Sequence, residues 1–319
     1  MLWFILCILA CGAWALEEVV CKKAAQNRDS VEYTYASGIC SCLVVALIGA
    51  VYAIIREEEI GFSQSLMDNA FVFVVVGIYY FGNILVARSY SYVDVSVLTF
   101  LENSTSVIDP LAVFIAFLIF RGTSDMGTLF TRSNILGLVL CGTGVILLAI
   151  GEHNKGKKIK TDGQSRKWYT KGAGALIFTL IFIICDSFES GGSAVLLDTE
   201  IGAGMPEGDY LICAGIVCFI GVIVLQLLYK KREGHFYRLF AKSEKWILLD
   251  ALLDSLGNVF YIYAVAINVI DTDILMNIAA PLTMLSAVIL LKEKVTPYQL
   301  GYSLLILAGC IVTCAGHFA

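Results

Sequence analysis

Asp250, Asp254, Asn258 and Tyr261 recur at i, i+4, i+8 and i+11 in an otherwise apolar stretch. That spacing sets them on one face of a helix. Carboxylates beside an amide and a phenol can hold a cation or exchange a proton. Tyr79 and Asn83 make a shorter stripe in a second apolar stretch, and Asp186 and Glu189 share a face of a third. Glu17, Glu18, Glu102 and Asp109 are further acids within apolar runs, and Asp271 and Asp273 open another. The basic candidate inside a run is Arg88. An ionised side chain at mid-membrane costs about 2.5 kcal/mol or more, so it turns to a cavity or a partner. One base cannot neutralise so many acids. Some must be interfacial, some protonated, and some open to a cation.

Burial favours the neutral form of a carboxylic acid, which can then carry a proton near neutral pH and release it when a cation binds. Asp254 is the first choice for that role and Glu102 the second. Asp250 lies about one turn from Lys245 and is expected at the interface. Glu17 and Glu18 stand near the end of their run, where snorkelling and a cavity are both open readings. Asp186 and Glu189 can likewise reach the outer surface. Trp14, Tyr79, Tyr80, Phe188, Tyr261 and Tyr263 suit packing or interfacial anchoring. Beside acids, such rings can also surround an organic ammonium group.

The elements that position these residues are long apolar runs. The 319-residue chain is 58% hydrophobic and 15% charged, with mean hydropathy +0.81; soluble proteins carry about 25% charged residues. Ten runs are long enough to cross a membrane as helices: 1–20, 37–55, 66–88, 93–119, 134–150, 172–190, 210–229, 246–266, 270–291 and 298–317. The fourth is interrupted by LENSTS at 101–106. The connections are too short for a separate soluble domain. Ala13-Trp14-Ala15 resembles a signal-peptide cleavage site, but no Lys or Arg precedes the apolar core, so a retained first helix is expected. The eleven Cys are scattered through apolar runs as small packing residues, without CxxC pairs or zinc-type Cys/His spacing. His153, His235 and His317 lie in connections or at the end. No metal centre, cofactor or enzymatic activity is expected from these residues.

Lys and Arg cluster in alternate connections: Lys22, Lys23 and Arg28 after the first run, a basic stretch after the fifth, and KKREGHFYRLFAKSEK after the seventh. The connections after the sixth and eighth runs carry neither residue. The positive-inside rule then puts both termini outside. An impermeant thiol reagent applied to intact cells is expected to leave a cysteine placed at Ser165 unlabelled; labelling there reverses the orientation.

The chain also repeats itself. NIAAPLTMLSAVILL followed by LGYSLLILAG, in 277–309, is a Pro-led helix, a turn, and a helix opening Leu-Gly. A weaker echo is IDPLAVFIAFLIFRG followed by NILGLVLCGTGVILLAIG, where Leu136, Gly137 and Gly144 match Leu300, Gly301 and Gly309. YYFGNILVARSYSYVDVS resembles DSLGNVFYIYAVAINVIDT. The predicted organisation is a first five-helix repeat over 1–151, a basic linker loop over 152–171 and a second five-helix repeat over 172–319. Five is odd, so the second repeat enters the membrane inverted. Inverted repeats characterise secondary transporters that bind substrate at mid-membrane between the halves.

Pro281, Ala287, Glu293, Thr296, Gln299, Gly301 and Gly309 resemble the closing hairpin of the drug/metabolite transporter superfamily, EamA-like branch. Trp14 with Lys22, eight residues later, is similar to the family's first-helix pattern. The first-half hairpin departs from it, with Arg121-Gly122 where the turn Glu would stand. The resemblance implies a transporter of small metabolites or drugs.

The expected protein is therefore an all-α membrane protein of ten transmembrane helices in two inverted five-helix repeats. Its expected function is alternating-access transport of a small organic solute, cationic or zwitterionic, with a proton as a possible coupling ion. A membrane-embedded transferase and a channel or scramblase are the alternatives. The site is expected between the halves, lined by the first, third, fourth, sixth, eighth and ninth runs. Asp254, Asn258 and Tyr261 should face Tyr79, Asn83 and Glu102, with Trp14 and Glu189 nearby. The expected setting is the plasma membrane, as a monomer or homodimer, with no nucleic-acid partner.

Overall fold

A computed structural model describes residues 2–25, 30–56, 66–89, 105–120, 130–160, 167–199, 202–238, 245–292 and 296–318. Among them there is no strand. In lipid a backbone must pair its own polar groups, and a helix does so within one segment. The apolar runs accordingly form α1 (Leu2–Ala25), α2 (Ser30–Arg56), α3 (Leu66–Ser89), α4 (Thr105–Phe120), α5 (Arg132–Lys160) and α6 (Lys167–Leu197). They continue as α7 (Glu207–Glu233), α8 (Lys245–Ile267), α9 (Val269–Leu275), α10 (Ala279–Leu291) and α11 (Pro297–Phe318). Seven helical stretches are long and apolar enough to cross a membrane, and Ile108–Phe120 and Leu300–Gly316 are shorter apolar helices. The outer surface is apolar: Leu47, Ile54, Ile115, Ile184, Ile289 and Ile311 are all exposed. The chain is an all-α, multi-pass membrane protein.

Local chemistry sets the helix ends. α7 follows Pro206, carries Glu207 and Asp209 in its first turn, and has Lys230, Lys231 and Arg232 in its last. Both charge placements complement the helix dipole. Gly234, at φ 80°, closes it by donating its N–H to the Lys230 carbonyl at 2.9 Å. At the far end of α1, Lys23 Nζ lies 4.9 Å from the ring centre of Trp246, and Lys245 Nζ lies 5.4 Å from it. The basic end of α1 and the basic start of α8 thus share one end of the bundle.

Two segments differ from the sequence expectation. Helix covers both ends of the supposed 152–171 loop, since α5 runs to Lys160 and α6 begins at Lys167. Lys-rich sequence is a good helix former once a helix is under way. The ninth run, expected to be continuous over 270–291, is broken by a 3₁₀ turn at Met276–Ile278 between α9 and α10. Pro281 explains the place. It has no N–H, and its ring crowds the carbonyl four residues back, that of Asn277. Carbonyls near the break find other donors. Asn277 Nδ2 donates to the Ile274 carbonyl at 2.9 Å, Cys310 Sγ lies 3.7 Å from the same oxygen, and Cys11 Sγ lies 3.6 Å from the Leu275 carbonyl. The hairpin Glu293 lies outside the described residues.

Packing is by pairs. α1 lies against α8 and α10, α6 against α3 and α4, α2 against α7, and α5 against α11. At the last crossing Gly137 and Gly309 meet backbone to backbone.

Candidate functional site

A cavity of about 170 Å³ lies among α1, α2, α3, α4, α6, α8, α9 and the turn into α10. One buried water needs on the order of 10–15 Å³, so this space is well beyond a water site. Of the residues expected from sequence, Asp254, Asn258, Tyr261, Tyr79, Asn83, Trp14 and Glu189 all line it. Glu102 lies outside the described residues.

The α8 stripe joins elements from both halves of the chain. Tyr79 O–H donates to Asn258 Oδ1 at 3.3 Å, and Asn258 Nδ2 donates to Asp254 Oδ1 at 3.0 Å. One turn on, Tyr261 O–H donates to Asp273 Oδ1 at 2.8 Å, and Ser190 O–H donates to Asp273 Oδ2 at 3.2 Å. Ser187 O–H donates to Asp109 Oδ1 at 2.7 Å, and Tyr210 O–H to Glu189 Oε1 at 2.8 Å. The Trp14 and Tyr261 rings are 5.6 Å apart at 49°. Gly257 permits that approach, because a Cβ there would lie 2.6 Å from Trp14 Cδ1.

Eight carboxylates line the cavity: Glu17, Glu18, Asp250 and Asp254 from α1 and α8, and Asp109, Asp186, Glu189 and Asp273 from α4, α6 and α9. No Lys or Arg is among the described lining residues. The donors just named to Asp109, Glu189, Asp254 and Asp273 are neutral hydroxyls and an amide, so they orient these acids without offsetting charge. Among the described lining residues, acidic side chains are therefore present without a basic one.

Several residues stand elsewhere than the sequence suggested. Asp250 is 3% exposed and lines the cavity, where an interfacial place was expected. Proximity to Lys245 along the chain sets its depth, but α1 and α2 cover its face of α8. Asp186, for which the outer surface was an open reading, also lines the cavity beside the expected Glu189. Of the two acids opening the ninth run, Asp273 lines the cavity. Asp271 serves the start of α9: its N–H donates to Asn268 Oδ1 at 3.0 Å, and its carboxylate accepts from Asn268 Nδ2 at 2.9 Å and from Asn134 Nδ2. Sequence reasoning missed Ser37 and Ser41 of α2 and Ser190 of α6. Lone serines in apolar runs carry no signal of direction. It also missed a grouping in which Glu17, Cys21 and Asp250 bring one ligand atom each within 4.8 Å of the others.

A smaller, mostly apolar recess of about 40 Å³ shares Tyr79, Glu189, Asn258 and Tyr261 with the main cavity. Its other walls include Val45, Ile48, Val76, Leu211 and Ile262.

No family model and no curated protein matches the sequence. The fold is similar to that of a solved structure described only as the crystal structure of a protein. The TM-score is 0.61 at 13% identity, over 98% of this chain and 96% of that one. At that identity the likeness is one of fold alone.

Proposed function

We propose that the chain is a secondary transporter that moves a small organic cation or zwitterion across a membrane by alternating access, in exchange for a proton. The observation that carries this reading is the central cavity with its eight acids and no described lining base. The recess beside it suits an apolar substituent on the charged group. The rings of Trp14 and Tyr261 suit the ammonium itself.

The reading includes ten membrane spans in two inverted five-helix repeats, with α9 and α10 as two parts of one span. The packing supports it. Exchanging each span of one half for its counterpart turns the α1–α8 pair into α6–α3 and the α1–α10 pair into α6–α4. It leaves α2–α7 and α5–α11 unchanged. Two-fold related halves would pair in that way, with a substrate site between them. Together with the closing hairpin, this favours membership of the drug/metabolite transporter superfamily, EamA-like branch; the plasma membrane is the setting proposed with it.

Uptake by proteoliposomes tests the function. With an acidic lumen, protons leaving should drive radiolabelled organic amines inward, while organic anions should stay out. Equal passage of both charge types, or amine flux indifferent to the pH gradient, would overturn the exchanger reading and favour a channel.

A further inference from the structure

We propose that Glu17, Cys21 and Asp250 form a binding site for a divalent cation of the zinc class at one end of the cavity. Glu17 and Cys21 are one helical turn apart on a single face of α1. Asp250 comes from α8, which packs against that helix. The three ligand atoms lie within 4.8 Å of one another. Ligands held at 2.0–2.3 Å on a tetrahedral ion lie roughly 3.3–3.8 Å apart, so small side-chain rotations close the set.

A second observation points to a ligand. Asp250 is 3% exposed, and its Oδ1 is buried with no hydrogen-bond partner among the described residues. Leaving such an atom unsatisfied costs about 1–3 kcal/mol or more, and a bound cation would satisfy it.

The donor set selects the ion. Mg²⁺ and Ca²⁺ favour all-oxygen shells. Cu⁺ favours thiolates and thioethers. One thiolate with two carboxylates suits a borderline ion, of which Zn²⁺ is the common case. Binding displaces the Cys21 proton, and the thiolate then has a donor in place. The hydroxyl of fully buried Tyr33 lies 2.7 Å from Cys21 Sγ. Outer hydrogen bonds of this kind hold and tune metal ligands. Three protein ligands leave a fourth position open, and all three side chains line the cavity. This site does not depend on the transport reading, since a protein that moves no amine could still hold the ion.

The test uses purified full-length protein, stripped with chelator and titrated with Zn²⁺ by calorimetry and with Co²⁺ by absorption. One Zn²⁺ per chain is expected, and the Co²⁺ form should show thiolate-to-metal charge transfer. Cys21→Ser should remove that band. Cys21→Ser and Asp250→Asn, each checked for a wild-type elution profile, should weaken Zn²⁺ binding by about 100-fold or more, beyond the 10–100-fold typical of outer-shell changes. Three results would overturn the site: no stoichiometric Zn²⁺ on the wild type, a Co²⁺ spectrum without the thiolate band, or unaltered affinity in both variants. The first two need no variant to fold. The first is the outcome if Glu17 and Asp250 merely share a proton.

Discussion

Proteoliposomes carrying Asp254→Asn are expected to take up an organic amine at the same rate with and without an acidic lumen. In the wild type the gradient should raise uptake by about tenfold or more, a coupling of roughly 1.4 kcal/mol. The substitution removes one titratable group and leaves the surrounding geometry intact. The new amide's Oδ1 can still accept from Asn258 Nδ2, as Asp254 Oδ1 does at 3.0 Å, and Asn258 Oδ1 can still accept from Tyr79. Folding should therefore survive, and thermal melting of the purified variant checks that it does. The amide cannot release a proton when the cation arrives, so the exchange cycle loses its step. Seven other acids line the described cavity, and one of them could carry the proton instead. Retention of the wild-type gradient response by Asp254→Asn would count against Asp254, and retention by Glu102→Gln as well would remove the carboxylate exchange at both positions chosen from the sequence.

Gly309→Val is expected to cost the fold more than any change to the cavity rim. At the α5–α11 crossing, a Cβ on residue 309 would lie 2.6 Å from Cys141 Sγ, 2.7 Å from the Gly137 carbonyl and 2.9 Å from the Cys141 N. Two of those three atoms are backbone and cannot rotate away, so α11 must move as a body. Overpacking of this kind costs about 1–3 kcal/mol or more, a fall in melting temperature of roughly 5 °C or more. Gly301→Val is the control. It changes the same residue type in the same helix, but a Cβ there meets nothing within 4 Å. Equal melting temperatures for the two variants would show that the crossing tolerates side chains, against the geometry.

The two glycines also show what a sequence can and cannot disclose. Gly301 and Gly309 stand together in the closing hairpin, yet only Gly309 lies against a neighbouring helix. Which face of α11 meets α5 is a property of the assembled bundle. The α8 stripe was legible because its period is that of a helix and its surroundings are apolar, so an inward face follows from the cost of polar groups in lipid. Asp250 was misjudged because Lys245, one turn away, says how deep it lies but not that α1 and α2 cover it. The ninth run was read as one span; Pro281 accounts for its break once the break is seen, but nothing local to it marks the surroundings of Asp273. That carboxylate meets Tyr261 and Ser190 only because α8, α6 and α9 converge on one point. Glu17 and Cys21 were readable as neighbours on a helix. Their third member comes from the other end of the chain.

The turn at Met276–Ile278 divides labour within one crossing. A continuous helix is a stiff rod, and force at one end reaches the other. Here the seven-residue α9 bears Asp273, held to α6 and α8 by Ser190 and Tyr261, while α10 leans on α1. The joint between them lacks the full helical ladder and is bridged at Ile274 and Leu275 by thiol contacts from two other helices. Such contacts are weaker than backbone hydrogen bonds. Under the proposed exchange, charge arriving at Asp273 would act first on the short α9 segment, which is held to α6 and α8, while α10 keeps its own contacts with α1.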